Sequence, residues 1–594
     1  MSRLRFAGSA EASLPESWRP FERTLHRWLR QCGASPLVAT IAGWTSHAEG
    51  AGHTALDLRE PPFPELQGLD NATIELLGAQ SGFVGDGNGV PTALVIDTDG
   101  RACLWRNHIH ERTLAFALLE RRDRGAVADS ADLEAWLDEL FQGRRDDAVG
   151  DQRRAVARIP GKRLFVLTGG PGTGKTTTVL RMLLMLQRTR AVPMRVAVSA
   201  PTGKAAQRLR QALRDGRERL QAGDPAEGIP SLPSGWDHAL ACLPDGEAAT
   251  LHRLLGFEPH ADRFARGPSN PIQADVVVVD EASMADLRMM RTLLEALRPD
   301  AVLILVGDAD QLTSVAAGSA LMDIVAAMEG GPQLVRLRHS FRAEHLLQDV
   351  NEAIRSGDQR ALSDAIEAAG ARVRSVVVDD DAALASRVDA WAQRLATAVQ
   401  PGALHTVTGD GALEALRGLR ARQLLCALRE GSFGARAVNA RIESRLRQAW
   451  GVAAEAEWYA GRAVLVTRND YEAGLFNGDV GVCLADEDGE LRVWFETAMA
   501  DGSMGARSFA PALLPEHEGA FAITIHKSQG SEYDHVAVLL PPEASNRILS
   551  RQLLYTGTSR ARQSLEIWST PASLAIAVET PVRRMGGLAA KLSK

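Results

Sequence analysis

The sequence predicts an α/β protein whose parallel sheets are covered by helices on both faces. Three observations support this. From residue 151 onward, short apolar strands alternate with helical segments, which is typical of parallel sheets buried on both sides. The segment Leu164-Phe-Val-Leu-Thr-Gly-Gly-Pro-Gly-Thr-Gly-Lys-Thr-Thr177 has the order strand, glycine loop, helix. A chain of 594 residues has room for three or more domains.

Composition restricts the environment more than the partner. The chain is 45% hydrophobic and 24% charged, as in ordinary globular proteins. We find neither an apolar run long enough to cross a bilayer nor the apolar core of a signal peptide at the start. The five cysteines form no C-x-x-C pair, which argues against zinc and disulfide frameworks and indicates a reducing cytoplasm. A net charge of −7 neither supports nor excludes nucleic-acid binding, because a local basic channel suffices.

The first domain is predicted to cover residues 1–142 and to be mainly helical. Its patterns indicate helices over 21–29 and 114–122, and a strand pair over 92–97 and 102–106 around the turn Asp97-Thr-Asp-Gly100. We interpret Arg121-Arg-Asp-Arg124 as a solvated helix face. The polar stretch 143–151 is predicted to be a linker.

Two α/β domains should follow, over 151–332 and 333–594. Strands of the first are predicted at 164–167, 196–199, 276–279 and 302–306. Its segment 214–249 is rich in Gly, Pro and Asp and is predicted to be a surface insertion. Strands of the second are predicted at 423–428, 463–467, 480–484, 491–495, 520–525, 536–540 and 565–568, and residues 456–515 should form a small barrel-like β insertion.

The glycine loop carries the strongest chemical signal. Residues 169–176 fit G-x-x-x-x-G-K-[ST], the nucleotide-binding P-loop. Glycines let backbone N–H groups surround a phosphate, and the following helix adds its positive end. Lys175 is expected to reach the β- and γ-phosphates, and Thr176 to coordinate Mg²⁺. The residues predicted to bind the nucleotide here are Gly169, Gly170, Pro171, Gly172, Thr173, Gly174, Lys175, Thr176 and Thr177.

Two further strand ends should complete a hydrolytic site. Val276-Val-Val-Val-Asp280-Glu281 ends in two acids, of which Asp280 would hold the metal ion and Glu281 would deprotonate the attacking water. A P-loop phosphotransferase does not need that second acid. The next strand would deliver Asp308 and Gln311 to the γ-phosphate side.

Arginines from the last domain could close the site. Arg342 and Arg560 are predicted to stabilise charge on the transferring phosphoryl group, with Arg562 as a competitor of Arg560. If they belong to a separate domain, binding and hydrolysis would open and shut a cleft.

Over roughly 151–568 the chain resembles the RecD family of superfamily 1 helicases, whose members are alpha subunits of exodeoxyribonuclease V. The resemblance depends on an ordered set of segments: Gln152 in 151–155, then 169–177, 200–206, 250–256, 280–284, 307–311, 340–342, 468–470 with 476–481, 524–532, and 555–562.

The resemblance implies two RecA-like motor domains that use ATP and Mg²⁺ to move along DNA. It implies that Gln152 reads the adenine, and that Gln311, Arg342 and Arg560 contact the γ-phosphate. The residues implied to face single-stranded DNA are Thr202, His252, Thr524, His526 and Ser528. For His252 a packing role is an equal alternative, and Lys527 could serve DNA, the ATP side or neither.

The leading hypothesis is an ATP-dependent DNA helicase, acting on single- and double-stranded DNA in double-strand-break processing and recombinational repair. The family implies 5′→3′ movement and a heterotrimer with RecB-like and RecC-like subunits, which residues 1–142 would help to dock. The alternatives are a free-standing helicase of the same superfamily, a regulatory subunit that switches with ATP without unwinding, and a phosphotransferase.

Overall fold

The computed structural model describes residues 14–80, 82–123, 132–190, 192–223, 230–243, 248–258, 260–314, 316–341, 345–398, 408–470, 472–498 and 504–593. None of the described helices is both long and apolar enough to cross a bilayer.

The N-terminal domain packs helices on a small sheet of order β1-β4-β3-β2, around a core that includes Trp18, Trp44 and Phe63. The predicted strand pair forms, but its second strand ends at Leu104 because a helix begins at Trp105. The elements are α1 Pro20–Gln31, α2 Pro36–Gly50, β1 Leu56–Asp57, α3 Asn71–Gly78, β2 Val84–Gly85, β3 Leu94–Ile96, β4 Arg101–Leu104 and α4 Trp105–Asp123. The predicted boundary at residue 142 needs correction, because α5 Leu133–Leu140 buries Leu137 and Leu140 in the core of the next domain.

The interpretation of Arg121 as part of a solvated face is wrong. Arg121 is 7% exposed, and its guanidinium donates to the carbonyls of Ala301 and Arg298 at 2.9 Å each. These carbonyls belong to the first P-loop domain. The arginine therefore fastens α4 to that domain, a contact between distant segments that a run of charges does not reveal.

The first P-loop domain holds a six-stranded parallel sheet of order β12-β5-β11-β10-β6-β7. Alternate residues of β5 enter two different cores, Phe165 and Leu167 one, Leu164 and Val166 the other. The elements are α6 Asp147–Arg158, β5 Leu164–Gly169, α7 Lys175–Arg188, β6 Val196–Ala200, α8 Gly203–Ala222, α9 Asp237–Ala241, β7 Ala249–Thr250, α10 Leu251–Leu254, β8 Phe257–Glu258, β9 Arg263–Phe264, β10 Val276–Val279, α11 Leu287–Glu295, β11 Val302–Gly307, α12 Ala320–Met328 and β12 Leu334–Leu337.

Three predicted boundaries in this region need correction. The domain does not end at 332, because β12 pairs in parallel with β5 and buries Leu334 and Val335. The predicted linker over 143–151 is helical from Asp147. The predicted surface insertion over 214–249 begins as the last turns of α8, and its Trp236 is fully buried in the core.

The second P-loop-type domain has a five-stranded parallel sheet of order β13-β22-β21-β14-β20. A five-stranded antiparallel sheet of order β18-β17-β16-β15-β19 is inserted before β20 and has β18 and β19 at its edges. The elements are α13 His345–Ser356, α14 Gln359–Ala369, β13 Val373–Val377, α15 Asp381–Ala398, α16 Gly409–Arg420, β14 Arg422–Cys426, α17 Ala435–Trp450, β15 Ala463–Val466, β16 Val480–Ala485, β17 Leu491–Ala498, β18 Met504–Phe509, β19 His517–Gly519, β20 Ala522–Thr524, β21 Tyr533–Leu539, α18 Arg551–Thr558, β22 Ala561–Ser569, α19 Pro571–Glu579 and α20 Leu588–Leu592.

The return segment, residues 584–592, leaves the second domain and crosses back to the other two. The Arg584 guanidinium donates to the carbonyl of Gly318 at 2.8 Å. The Met585 carbonyl accepts from the N–H groups of Thr54 and Ala55, and the Met585 N–H donates to Nδ1 of His53 at 2.9 Å. Lys591 pairs with the buried carboxylate of Glu111 at 2.7 Å. The predicted range 333–594 therefore includes a segment that packs outside the second domain.

Candidate active site between the two parallel sheets

The P-loop follows β5 and turns directly into α7. Gly172 and Gly174 adopt φ values of 76° and 78°, which side chains strongly disfavour. A Cβ on Gly174 would lie 2.4 Å from Nε2 of Gln152, so a side chain at this position is excluded by a steric clash as well as by the backbone conformation. The loop thus keeps its backbone N–H groups at the start of α7, where an anion is stabilised.

Lys175 and Gln152 both contact the loop itself. The Lys175 ammonium donates to the carbonyls of Gly169 and Gly170 at 2.8 and 3.0 Å. Gln152, on α6, is 4% exposed and donates to the Thr173 carbonyl at 3.1 Å. The Lys175 ammonium is therefore held against the P-loop, and the Gln152 amide stabilises the loop through the Thr173 carbonyl.

The two predicted acids stand at the end of β10. Burial and the neighbouring Glu281 carboxylate raise the pKa of Asp280 to about 6, while Lys175 acts in the opposite direction. Glu281 has a φ of 50°, a left-handed conformation that is strained for a residue with a side chain. Strain of this kind is concentrated at functional sites, and here it places two carboxylates side by side.

Asp308 and Gln311 follow β11 and are both buried. The Gln311 amide donates to Oδ2 of Asp308 at 2.8 Å. Oε1 of Gln311 is buried and has no hydrogen-bond partner among the residues that the structure describes. An orphaned buried acceptor of this kind is costly.

Arg560 reaches the same place from the second domain. It is 3% exposed, and its guanidinium donates to the carbonyls of Thr556 at 2.9 Å and Ser531 at 3.3 Å. In the described part of the chain no acid pairs with it. Arg562, the competing candidate, instead pairs with Glu532 at 3.1 Å. A buried cation without a counter-charge favours an anionic ligand.

One cavity of about 350 Å³ brings these groups together. Six of the residues that line it have no role predicted from the sequence: Ala205, Arg208, Leu209 and Ala212 on α8, and Gly530 and Glu532 of the second domain. The remaining lining residues that matter for chemistry are Pro171, Gly172, Thr173, Gly174, Lys175, Thr176, Thr177, Asp280, Glu281, Gln311 and Arg560.

The segment after β12 lies against the P-loop. The Phe341 backbone N–H donates to the Gly172 carbonyl at 2.9 Å, and its ring is 42% exposed. Arg342, predicted to contact the γ-phosphate, lies outside the described residues. An exposed aromatic face next to a phosphate loop is suited to stacking on a base.

The residues implied to face DNA have different surroundings. Thr202 caps α8 by accepting from the Ala205 N–H at 3.2 Å, and Thr524 ends β20. Burial lowers the pKa of His526. Ser528 is fully buried, and its hydroxyl donates to the Ile525 carbonyl at 2.7 Å, so it presents no group to a strand in this structure.

Two side chains with alternative predicted roles make contacts within the protein. His252 packs edge-on against Phe257, with ring centroids 5.2 Å apart, which is the packing alternative. Lys527 pairs with Glu518 at 2.5 Å and so belongs to the antiparallel sheet rather than to the nucleotide. Nearby, the Lys204 ammonium on α8 donates to the Ser531 hydroxyl at 2.7 Å, which joins the two P-loop-type domains.

Comparison with known proteins gives matches over most of the chain. Residues 152–317 match the AAA domain family, and residues 519–567 match the UvrD-like helicase C-terminal domain. The chain is 39% identical over 495 residues to the RecBCD enzyme subunit RecD of Mycobacterium tuberculosis, covering 82% of this chain and 79% of that protein. It is 32% identical to the Haemophilus influenzae protein of the same name, covering 80% and 76%.

Two further matches are more distant. The ATP-dependent RecD2 DNA helicase of Deinococcus radiodurans is 30% identical over 439 residues, covering 73% of this chain and 50% of that protein. A solved structure of Pif1 helicase from Bacteroides, in complex with ADP-AlF3 and single-stranded DNA, is 17% identical with a TM-score of 0.36, covering 77% of this chain and 95% of that one.

Proposed function

We propose a mechanism from the following premise: the chain belongs to the RecD family of superfamily 1 helicases. It is an ATP-dependent DNA helicase. The observation that supports the proposed site best is the cavity in which the P-loop, two acids and an unpaired arginine of the opposite domain meet. Each of these groups suits one part of a nucleoside triphosphate.

Hydrolysis would divide the work among four side chains. The P-loop and Lys175 bind the phosphates, and Arg560 neutralises charge that builds up on the γ-phosphoryl group. Glu281 accepts a proton from water as the water oxygen attacks the γ-phosphorus. The bond from the γ-phosphorus to the bridging oxygen breaks, and ADP leaves with the electron pair. Gln311 completes the water site.

Thr176 and Asp280 fit a magnesium ion. Asp280 is a half-buried acid whose pKa is raised by its surroundings, and a cation is electrostatically favoured at such a place. A hydroxyl, a carboxylate and the phosphates of the nucleotide are the usual oxygen ligands of Mg²⁺ at such sites. The ion would neutralise phosphate charge when bound.

Movement would follow from the position of Arg560 on the second domain. Gain and loss of the γ-phosphate changes what this arginine is attracted to, so the two sheets close and open around the cleft. We assign the single-stranded DNA contacts to Thr202, Thr524 and His526, which lie at strand ends or helix starts, where phosphates are held without reading sequence. The 5′→3′ direction and the use of double-stranded DNA are part of the proposal.

The chain would act as the alpha subunit of a RecBCD-type exodeoxyribonuclease in the cytoplasm. Its partners would be RecB-like and RecC-like subunits, since its relatives bear the name of a RecBCD subunit. Helix α1 supports a docking role for the N-terminal domain, because Phe21 and Trp28 are 62% and 56% exposed on one side of it. A free-standing helicase, as in the Deinococcus relative by its name, is the second candidate.

The test is ATPase activity with and without single-stranded DNA, followed by unwinding of substrates with 5′ or 3′ overhangs. Lys175→Gln should abolish both ATPase activity and unwinding, in the isolated chain and in an assembly. Wild-type, DNA-stimulated ATPase activity in that variant would overturn the site assignment. Unwinding that persists in an assembly carrying Lys175→Gln would favour a regulatory role. Purification of the untagged chain without partner subunits would favour the free-standing candidate.

A further inference from the structure

Tyr555 crosses from the second domain into the phosphate region of the first. It lies on α18, is 4% exposed, and its hydroxyl donates to Oδ2 of Asp308 at 3.0 Å. The same oxygen would be 2.9 Å from a Cβ on Gly170, so the tip of the ring rests against the P-loop. No role was predicted for this tyrosine from the sequence.

The hydrogen bonds around Asp308 show which of its oxygens acts as an acceptor. Oδ1 accepts from the Asp310 backbone N–H at 3.1 Å, and Oδ2 accepts from both Gln311 and Tyr555. An oxygen that receives two donors has no room for a proton. Oδ2 is therefore an acceptor for both side chains; burial raises the pKa of Asp308, and the positive charge of Lys175 acts in the opposite direction.

The acceptor Oδ2 of Asp308 fixes the orientation of the Gln311 amide. A carboxylate oxygen attracts the NH₂ end and repels the carbonyl end, so Oε1 becomes the group that lacks a partner. What is missing beside Oε1 is a hydrogen-bond donor. An ionised γ-phosphate has none, whereas the attacking water has two.

We propose that Tyr555 is a positioning residue for hydrolysis, which holds Asp308 so that Gln311 presents Oε1 to the attacking water. The inference rests on the proposed ATP site. As Tyr555 belongs to the second domain, Gln311 is oriented in this way only when the two domains meet.

Neighbouring contacts hold the same loop from the second domain. The Leu312 backbone N–H donates to the Thr556 hydroxyl at 2.9 Å, and the Leu312 carbonyl accepts from the Gln529 amide at 2.9 Å. The loop that carries Asp308 and Gln311 is thus held at Leu312 through both the backbone N–H and the carbonyl of that residue. Loss of the Tyr555 hydroxyl alone should leave these contacts, and with them the loop, in place.

The experiment is steady-state ATPase kinetics of the full chain at saturating single-stranded DNA, for Tyr555→Phe, Gln311→Ala and the double variant. Gln311→Ala should lower kcat about 100-fold, the lower end of the range for loss of one polar group at a reacting centre. Tyr555→Phe should lower kcat by less, about tenfold, because Tyr555 acts only through Asp308 and Gln311. KM for ATP and the thermal midpoint should be unchanged within twofold and a few degrees, respectively. The matched control is Tyr459→Phe, since Tyr459 is equally buried but packs on Arg447 away from the cavity.

The double variant tests whether Tyr555 acts through Gln311. If Tyr555 acts through Gln311, the double variant is no slower than Gln311→Ala alone, because there is nothing left to orient. Losses in kcat that multiply, or a change in KM with kcat preserved, would refute the proposal. If Tyr555→Phe does not fold stably, Asp308→Asn in the same cycle gives the same decision. Lys175→Gln distinguishes failure of the proposed ATP site from failure of this inference. ATPase activity in Lys175→Gln refutes the ATP site itself. An inactive Lys175→Gln together with a fully active Tyr555→Phe refutes only the role of Tyr555.

Discussion

Asp323 makes the stability of the interface between the domains depend on pH. It lies on α12, where burial and the nearby Glu111 carboxylate raise its pKa to about 7, against an ordinary value of 3.8. The Ser319 hydroxyl, 3.3 Å away, compensates only part of this. We predict that Asp323→Asn, which keeps the shape and removes the charge, stabilises the protein at pH 8 and not at pH 4.

The sign follows from proton binding. Between pH 4 and pH 7 the folded protein holds a proton on Asp323 that the unfolded chain releases, so stability falls as the pH rises and the full cost is present above pH 7. A difference of about three pH units corresponds to about 4 kcal/mol at most, and solvent screening at a group that is not fully enclosed reduces this to about 2 kcal/mol.

Thermal unfolding followed by fluorescence from pH 4 to pH 8.5 checks this prediction. The midpoint of Asp323→Asn should exceed that of the wild type by a margin that grows up to pH 7 and is then constant. Asp364→Asn, at an exposed position on α14, is the control and should show no such trend. A margin that is the same at every pH, or a lower midpoint at pH 8, would show that Asp323 is not a buried charge.

Three other outcomes follow from the site and the core. Gly174→Ala should weaken binding of a fluorescent ATP analogue at least about tenfold, because the added Cβ needs a disfavoured conformation and meets an atom at 2.4 Å; Gly150→Ala, with open space around it, should bind as the wild type does. Arg560→Lys should lower kcat for ATP by about 100-fold or more, whereas Arg562→Lys should change it less than threefold, and equal effects would contradict the assignment of Arg560 to the phosphate. Trp236→Ala should cost about 3–5 kcal/mol and lower the thermal midpoint clearly, and an unchanged midpoint would place residues 230–243 outside the core.

The parts of the site that sequence could predict are those that short segments encode. The loop from Gly169 to Thr176 has one stereochemical solution, and Asp280 and Glu281 follow a strand so apolar that their place at its end could be predicted. The fold class was predicted for the same reason, since continuous apolar strands require cover on both faces.

What sequence could not predict depends on contacts between distant segments. Nothing local distinguishes Arg560, which is enclosed at the cavity, from Arg562, which pairs with Glu532. Likewise, no pattern near Tyr555 indicates that its hydroxyl meets Asp308, 247 positions earlier. The misplacement of β12 has a similar cause, because Gly330-Gly-Pro332 is a plausible boundary until the pairing of β12 with β5 is known.

The return segment determines which relative motions of the two parallel sheets are possible. The chain passes from the first to the second sheet between Leu337 and α13, and back again after Val582, whose N–H is held by Gln552. Arg584 is already bound to Gly318 on the other side. Two bodies joined by two covalent connections cannot move further apart than the shorter connection allows. The return segment therefore limits how far the cleft between the two sheets can open in each cycle of hydrolysis.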